Sequence, residues 1–246
     1  MTREEVDARA RALFGEALGP AEGVLHVVSS VREGGVHRAI RIGPRAPSSP
    51  TDGFVLALAR ARVDAILVSG AVLRAEPSLV YARPDEGLAS IRGDRPPPWL
   101  CVLTARGELP ATHPVWSSWA RPIVITGPDA PLALDARVEV VRLSAPSARA
   151  ALAHLVDARG CRSVSVEAGP RVAAPLYEPP CAIDELSLST FEGALDARAL
   201  GGALFDDATL AERMVLAGEA RVDEASGPWR FARYVRRAPA SSPDVG

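Results

Sequence analysis

The chain contains no lysine, no asparagine and no glutamine, so all 28 of its basic side chains are arginine. Without lysine there is no P-loop lysine, no Schiff-base lysine and no kinase lysine. Without asparagine there is no Cys-His-Asn constellation and no Asn-linked glycosylation site. Metal-ligand spacing is missing too. Cys101, Cys161 and Cys181 are far apart, His26, His37, His113 and His154 stand singly, and nothing approaches CxxC or HExxH. The cysteines read as reduced thiols of a cytoplasmic protein, the histidines as structural or exposed groups, and no metal site is expected. Charges spread through Met1–Leu18 are incompatible with a signal peptide. No apolar run reaches the ~18 to 20 residues of a membrane span. A formal charge of −2 leaves no electrostatic footprint for nucleic acid or an anionic membrane.

What is present is ample core material, 48 % apolar residues in 246, without a linker or a fixed-period repeat. One domain over residues 1–237, followed by a loose tail at 238–246, is the economical organisation. Residues 2–18 predict an amphipathic helix with Thr2 as cap and Val6, Ala10, Leu13 and Phe14 on one face. Val24–Val31 is a β-branched run buried on both faces, and a polar loop is expected over 32–48. Ser49-Pro50-Thr51-Asp52 is a helix start with cap, first-turn proline and an acidic partner for the dipole. Short strands are expected at 65–68, 99–104, 122–126, 138–143 and 163–166. A loop fills 82–98, a helical turn 71–75 and a helix 144–159. After a short helix near 170–178 comes a strand at 183–191, then an antiparallel hairpin from 213–222 and 229–236. Trp116 and Trp119 read as surface-helix packing. Strand, helix, strand around 138–166 is a βαβ unit, so the class is α/β with a mixed, mostly parallel sheet flanked by helices.

In such sheets ligands bind beyond the carboxyl ends of parallel strands, where helix N-termini offer unpaired N–H groups. Three strand ends qualify. Glu167-Ala168-Gly169-Pro170-Arg171 is a small-residue turn opening a helix at proline, suited to a diphosphate or simply to tight packing. Ser69-Gly70-Ala71-Val72 is a second such turn with a hydroxyl. Thr104 and Arg106 follow a third strand and can grip a phosphate, or be an ordinary loop with a solvated arginine. Glu167, at the end of a buried strand, is either desolvated or satisfied by nearby donors, and both place it at a cleft. The arginines at 230, 233, 236 and 237 alternate with Phe231, Tyr234 and Val235, as on a half-exposed strand.

Taken in order, these segments resemble the reductase domain of riboflavin biosynthesis, the C-terminal half of bifunctional deaminase-reductases, which has the dihydrofolate reductase-like fold. The resemblance runs from about Val24 to Arg237. It rests on Ser49-Pro50-Thr51-Asp52, Ala65-Ile66-Leu67-Val68 followed by Ser69-Gly70-Ala71-Val72, Arg74-Ala75-Glu76-Pro77, and Thr104. It continues through Glu167-Ala168-Gly169-Pro170, Ile183-Asp184-Glu185-Leu186 and Gly201-Gly202.

The resemblance implies an NADPH-dependent reductase acting on a phosphoribosylamino-pyrimidine, reducing the ribose to a ribityl chain by hydride transfer, and a homodimer. By the same analogy Ser69, Gly70, Ala71 and Val72, with Glu167, Ala168, Gly169, Pro170 and Arg171, hold the cofactor diphosphate. Thr104 and Arg106 lie near its 2′-phosphate, and the substrate sits near Ser30 and Glu76, the expected catalytic pair. Arg32, Ser69, Val72 and Ala168 depart from the family pattern, and an added methyl where a diphosphate must approach can displace it. Two functions follow: a reductase with a drifted substrate, or a catalytically degenerate relative serving as a binding or assembly module. A dinucleotide fingerprint of the G-x-G-x-x-G type is absent, as are the zinc ligands of a deaminase.

Overall fold

The computed structural model describes residues 1–238, so all but the first residue of the expected tail lies outside them. Helix α1 (Arg3–Phe14) begins at a capping box in which Thr2 accepts from the Glu5 amide while the Glu5 carboxylate accepts from that of Thr2. It buries the predicted stripe of Val6, Ala10, Leu13 and Phe14 but is shorter than the expected 2–18. Gly15, at φ 82, ends it in the left-handed conformation that glycine adopts without steric cost. Helix α2 (Pro50–Arg62) starts as expected, with the Asp52 amide donating to Ser49 Oγ at 2.8 Å.

The sheet consists of β1 (Gly23–Glu33), β2 (Val36–Ile40), β3 (Ala65–Ser69), β4 (Trp99–Leu103), β5 (Arg121–Thr126), β6 (Glu139–Arg142), β7 (Ser163–Val166), β8 (Glu185–Phe191), β9 (Leu200–Asp206), β10 (Met214–Glu224) and β11 (Gly227–Arg236). Its order is β10-β11-β8-β1-β7-β3-β4-β5-β6, with β2 paired to β1 and to β9 off this path. Every neighbour pairing from β8 to β6 is parallel, whereas β11 runs antiparallel to β8 and to β10. The expected class, a mostly parallel sheet with a C-terminal antiparallel hairpin, is the one observed. The remaining helices are α3 (Gly70–Ala75), α4 (Glu86–Arg92), α5 (Ala148–Asp157), α6 (Pro170–Ala173) and α7 (Asp207–Arg213).

Both faces of the sheet are covered. Phe14 of α1 and Phe54 and Leu58 of α2 pack with Val27, Phe191, Trp229 and Phe231. On the other face Leu152 and Leu155 of α5 pack with Val164, Leu186 and Leu188. Strand β3 is buried at every residue, which is why it reads as a continuous apolar run without alternation. A buried ionic set crosses the first layer. Glu185 accepts from Arg62 Nη1 at 2.5 Å and from Arg233 Nη2 at 3.0 Å, tying the end of α2 to β8 and β11. Burial alone would raise the Glu185 carboxyl, but the two guanidinium groups outweigh it and hold it below its ordinary value.

Two expected loops are partly regular. Residues 32–48 contain the end of β1, a hairpin through Gly34 (φ 56) and Gly35 (φ 80), and β2. The buried positions of β2 are His37 and Ala39, so it carries no apolar alternation to announce it. Residues 82–98 contain α4, capped by Asp85 accepting from the Leu88 amide at 3.0 Å. Residues 114–117 form a single 3-10 turn in place of a surface helix, with Trp116 Nε1 donating to the Pro110 carbonyl at 2.8 Å.

Candidate active site

The three strand ends singled out in the sequence are neighbours. Strands β7, β3 and β4 are adjacent and parallel, and the Glu167 amide donates to the Leu67 carbonyl at 2.9 Å. Their carboxyl ends therefore set Glu167–Arg171, Ser69–Val72 and Thr104–Arg106 side by side on one rim. The α-helices that open there, α3 and α6, have no side-chain cap, whereas α1, α2, α4, α5 and α7 each have one. Their first amides are thus left without the side-chain partner that every other α-helix supplies.

Within these turns the residues differ in what they offer. Gly169 has nothing within 4 Å of where a Cβ would stand, so it faces open space. Ala168 is buried and its methyl joins the core beside Val166 and Ala173. The extra methyl at 168 is turned into the protein, not toward the rim. Gly70 is close-packed instead: a Cβ there would lie 2.9 Å from Leu109 Cδ2 and 3.3 Å from Thr104 Cβ. Its smallness lets the ends of β3 and β4 meet. Ser69 is nearly buried, Val72 half-buried, and Ala71 exposed. Pro170 is half-buried in the first turn of α6, and Arg171 is exposed. Thr104 is buried and its Oγ1 accepts from the Gly107 amide at 3.3 Å. Arg106 is exposed and has no ion-pair or hydrogen-bond partner among the described residues.

Glu167 is satisfied by side chains, through a partner that sequence reasoning missed. Arg60, from the last turn of α2, donates from Nε at 3.0 Å to each oxygen and from Nη2 at 2.6 Å to Oε2. Tyr81 adds its hydroxyl at 3.2 Å. The guanidinium carbon of Arg60 also lies 4.3 Å from the centre of the Tyr81 ring, a cation–π contact. Burial would lower the Arg60 pKa, but the Glu167 charge and its hydrogen bonds outweigh it and raise the value. Burial, reinforced by the charge of Glu167, raises the Tyr81 phenol. Glu76, at the end of α3, belongs to the same electrostatic group. Burial raises its carboxyl above the ordinary value, Glu167 adds to that, and Arg60 opposes it. His113 is buried, with Nε2 2.9 Å from the Glu76 carbonyl. The clue in the sequence was an arginine between Ala57 and Ala61 on an otherwise inward-facing helix surface.

Ser30 is in a different place. It is fully buried, with Oγ 3.3 Å from His37 Nδ1 and 3.4 Å from Thr190 Oγ1. His37 Nε2 lies 3.5 Å from Asp207 Oδ1, and Asp207 is held by Arg32. Glu76 and Ser30 therefore sit in separate networks, and Arg32 is an ion-pair partner of α7. A cavity of about 250 Å³ adjoins the Arg60 group between α2, α4 and the segment 80–85.

No curated protein matches the chain. Among solved structures it is similar to a pyrimidine reductase-like protein from Corynebacterium diphtheriae, with 20 % identity, coverage of 97 % of this chain and 100 % of that one, and a TM-score of 0.66. It is similar to the diaminohydroxyphosphoribosylaminopyrimidine deaminase/5-amino-6-(5-phosphoribosylamino)uracil reductase of Thermotoga maritima, at 20 % identity and TM-score 0.64, covering 88 % of this chain and 57 % of that one. The chain thus spans a little over half of that bifunctional protein. A third likeness is to the riboflavin biosynthesis reductase Rib7 of Saccharomyces cerevisiae, at 14 % identity and TM-score 0.56, covering 94 % and 100 %. At such identities these structures establish the fold alone, a mixed, mostly parallel α/β sheet with an antiparallel C-terminal pair. A family model described as the RibD C-terminal domain matches residues 38–202 of the 246, from β2 through the rim to the glycine pair in β9, and the chain belongs to that family.

Proposed function

We propose that the protein is an NADPH-dependent oxidoreductase of the pyrimidine-reductase kind, delivering hydride to the sugar-derived carbon of a ribosylamino-pyrimidine-like substrate. The observation that carries this is the adjacency of two uncapped helix starts and the Thr104–Arg106 loop on one sheet rim. The rim fits the cofactor chemically: the uncapped start of α3 and the open face of Gly169 suit a diphosphate. Arg106, without a partner among the described residues, adds a guanidinium suited to a further phosphate. NADPH, when bound, supplies the hydride.

The chain's own groups then have distinct tasks. The Ser69–Val72 and Glu167–Arg171 turns bind through backbone amides, so replacing a family glycine by Ser69 or Ala168 leaves the donors in place. Thr104 fixes its loop through Gly107 and keeps its own proton to donate. Arg60 holds Glu167 in one orientation. Opening a ribosyl ring to a ribityl chain adds a hydride to the anomeric carbon and a proton to the oxygen that leaves it. Glu76, whose carboxyl burial raises above its ordinary value while Arg60 opposes, is the group assigned to deliver that proton. Ser30, being buried, acts as a positioning residue through His37.

A thermal-shift series with NADPH and NADH tests this, since a ligand at 100 times its Kd adds about 2.7 kcal/mol of stability. NADPH is expected to stabilise the protein more than NADH, and Arg106→Ala to weaken NADPH selectively. Equal loss for both nucleotides removes Arg106 from the 2′-phosphate. No shift with either favours the second reading, a non-catalytic binding module, which draws its support from Glu167 and Ser30 being already engaged by neighbouring side chains.

A further inference from the structure

We infer that strand β10 pairs edge to edge with the β10 of a second copy of this chain, antiparallel about a two-fold axis at Ala220. The inference stands apart from the reductase reading. The main path of the sheet ends at β6 on one side and at β10 on the other. Strand β6 has four residues, and shortness is one of the devices by which natural sheets blunt an edge. Strand β10 has eleven, Met214–Glu224, with neither lysine nor proline among them. Its bulge lies between Leu216 and Gly218, so Gly218–Glu224 runs regularly. None of the backbone amides and carbonyls of Val215–Asp223 bonds outside β11 among the described residues. Val215 and Leu216 are also 41 % and 44 % exposed. A long edge left open in this way is a template for another strand.

Charge selects both the partner and the register. Glu219, Arg221 and Asp223 alternate along the exposed face of the regular stretch. A self-pairing centred on Glu219 or on Arg221 sets like charges opposite each other, which opposes association. Centred on Val222, it overlaps only residues 220–224. Centred on Ala220, it overlaps 216–224 and sets Glu219 against Arg221 of the second copy, twice. Each of these side chains already has one partner: Glu219 accepts from Arg230 Nε at 2.6 Å, and Arg221 Nε lies 3.3 Å from Glu192 Oε2. The second copy joins such pairs into rows that run Arg230, Glu219, then Arg221 and Glu192 of the other chain, with opposite charges adjacent throughout. The same four residues, with Arg32 and Thr190, line a polar groove of about 560 Å³ whose β10 wall is Glu219 and Arg221. In the dimer the grooves of the two copies therefore adjoin across the axis, and each gains charged side chains from the other.

Sedimentation velocity of the intact protein over a micromolar concentration series tests this. The parent is expected to dimerise. Glu219→Arg and Arg221→Glu, both at exposed positions, are each expected to weaken the dimer at least about tenfold. Mixed one to one, the two variants are expected to form a heterodimer within about threefold of the parent's affinity, because every reversed charge then meets its complement. Amide hydrogen exchange at residues 218–222 should slow with rising concentration in the parent and not in either variant alone. A parent that stays monomeric throughout the series overturns the inference and leaves the edge to a partner of another kind. A dimer indifferent to both reversals overturns it by placing the contact elsewhere. Weakening by Arg221→Glu alone, or no recovery on mixing, overturns the register at Ala220.

Discussion

His26 gives the sharpest energetic prediction. It lies in β1 with no exposed surface, its Nδ1 2.7 Å from the Tyr177 hydroxyl and its Nε2 without a partner among the described residues. Burial lowers its pKa from 6.5 to about 3. The folded protein therefore binds fewer protons at this site than the unfolded chain whenever the pH lies between those values, and stability falls as the pH falls through that window. At pH 7 the penalty is close to nothing. At pH 5 the unfolded histidine is almost wholly protonated and the folded one is not, which at 1.36 kcal/mol per pH unit costs about 2 kcal/mol. Below pH 3 the full difference is about 5 kcal/mol. The perturbation is His26→Phe, which keeps an aromatic ring and removes the titration. Urea unfolding at pH 7 and pH 5, with and without the substitution, measures the effect. The variant starts weaker at pH 7, by about 1–3 kcal/mol for the stranded Tyr177 hydroxyl, but its loss between pH 7 and pH 5 should be smaller by about 2 kcal/mol. His37, also lowered by burial although Asp207 opposes it, keeps part of the slope in both proteins. An identical pH dependence in parent and variant would refute the assignment of a buried, neutral imidazole.

Glu185→Gln should destabilise the fold by about 3–5 kcal/mol in denaturant titration, because Arg62 and Arg233 are left buried without their shared counter-charge. The parent's contribution from this carboxylate is present above its unfolded pKa and is lost as the pH drops through its depressed folded value. That loss begins only below the ordinary carboxyl value of 4.5, so a comparison between pH 7 and pH 5 reads the histidine alone and a further step to lower pH adds the carboxylate. Gly107→Ala should cost about 2 kcal/mol or more, since φ is +71° and a Cβ would overlap the Pro131 carbonyl. A change under about 0.5 kcal/mol there would mean that the 104–109 loop repacks freely.

Local signals fixed much of this molecule in advance. The Ser49-Pro50 start of α2, the apolar run of β3 and the one-sided face of α1 each carry their own chemistry. The elements that escaped share one cause: they are stabilised by tertiary partners. Strand β2 turns His37 and Ala39 inward because β1 and β9 flank it on both sides. Helix α4 has only seven residues and is held by α1 and α2. At the site, the strand-end turns were legible because their small residues are local features. The Arg60–Glu167 pair was not, since its members stand 107 positions apart in the chain and only the packing of α2 over β7 brings them together. The burial of Ser30 was not legible either, because it depends on Thr190 and His37, one from each neighbouring strand.

That same ion pair has a thermodynamic consequence. Arg60 forms a wall of the cavity while its partner Glu167 opens the turn at the rim. Any occupant that reorients the guanidinium alters the carboxylate's own turn, and whatever settles on the rim acts back on the guanidinium. Linkage then requires the two affinities to change by one common factor, whichever molecule arrives first.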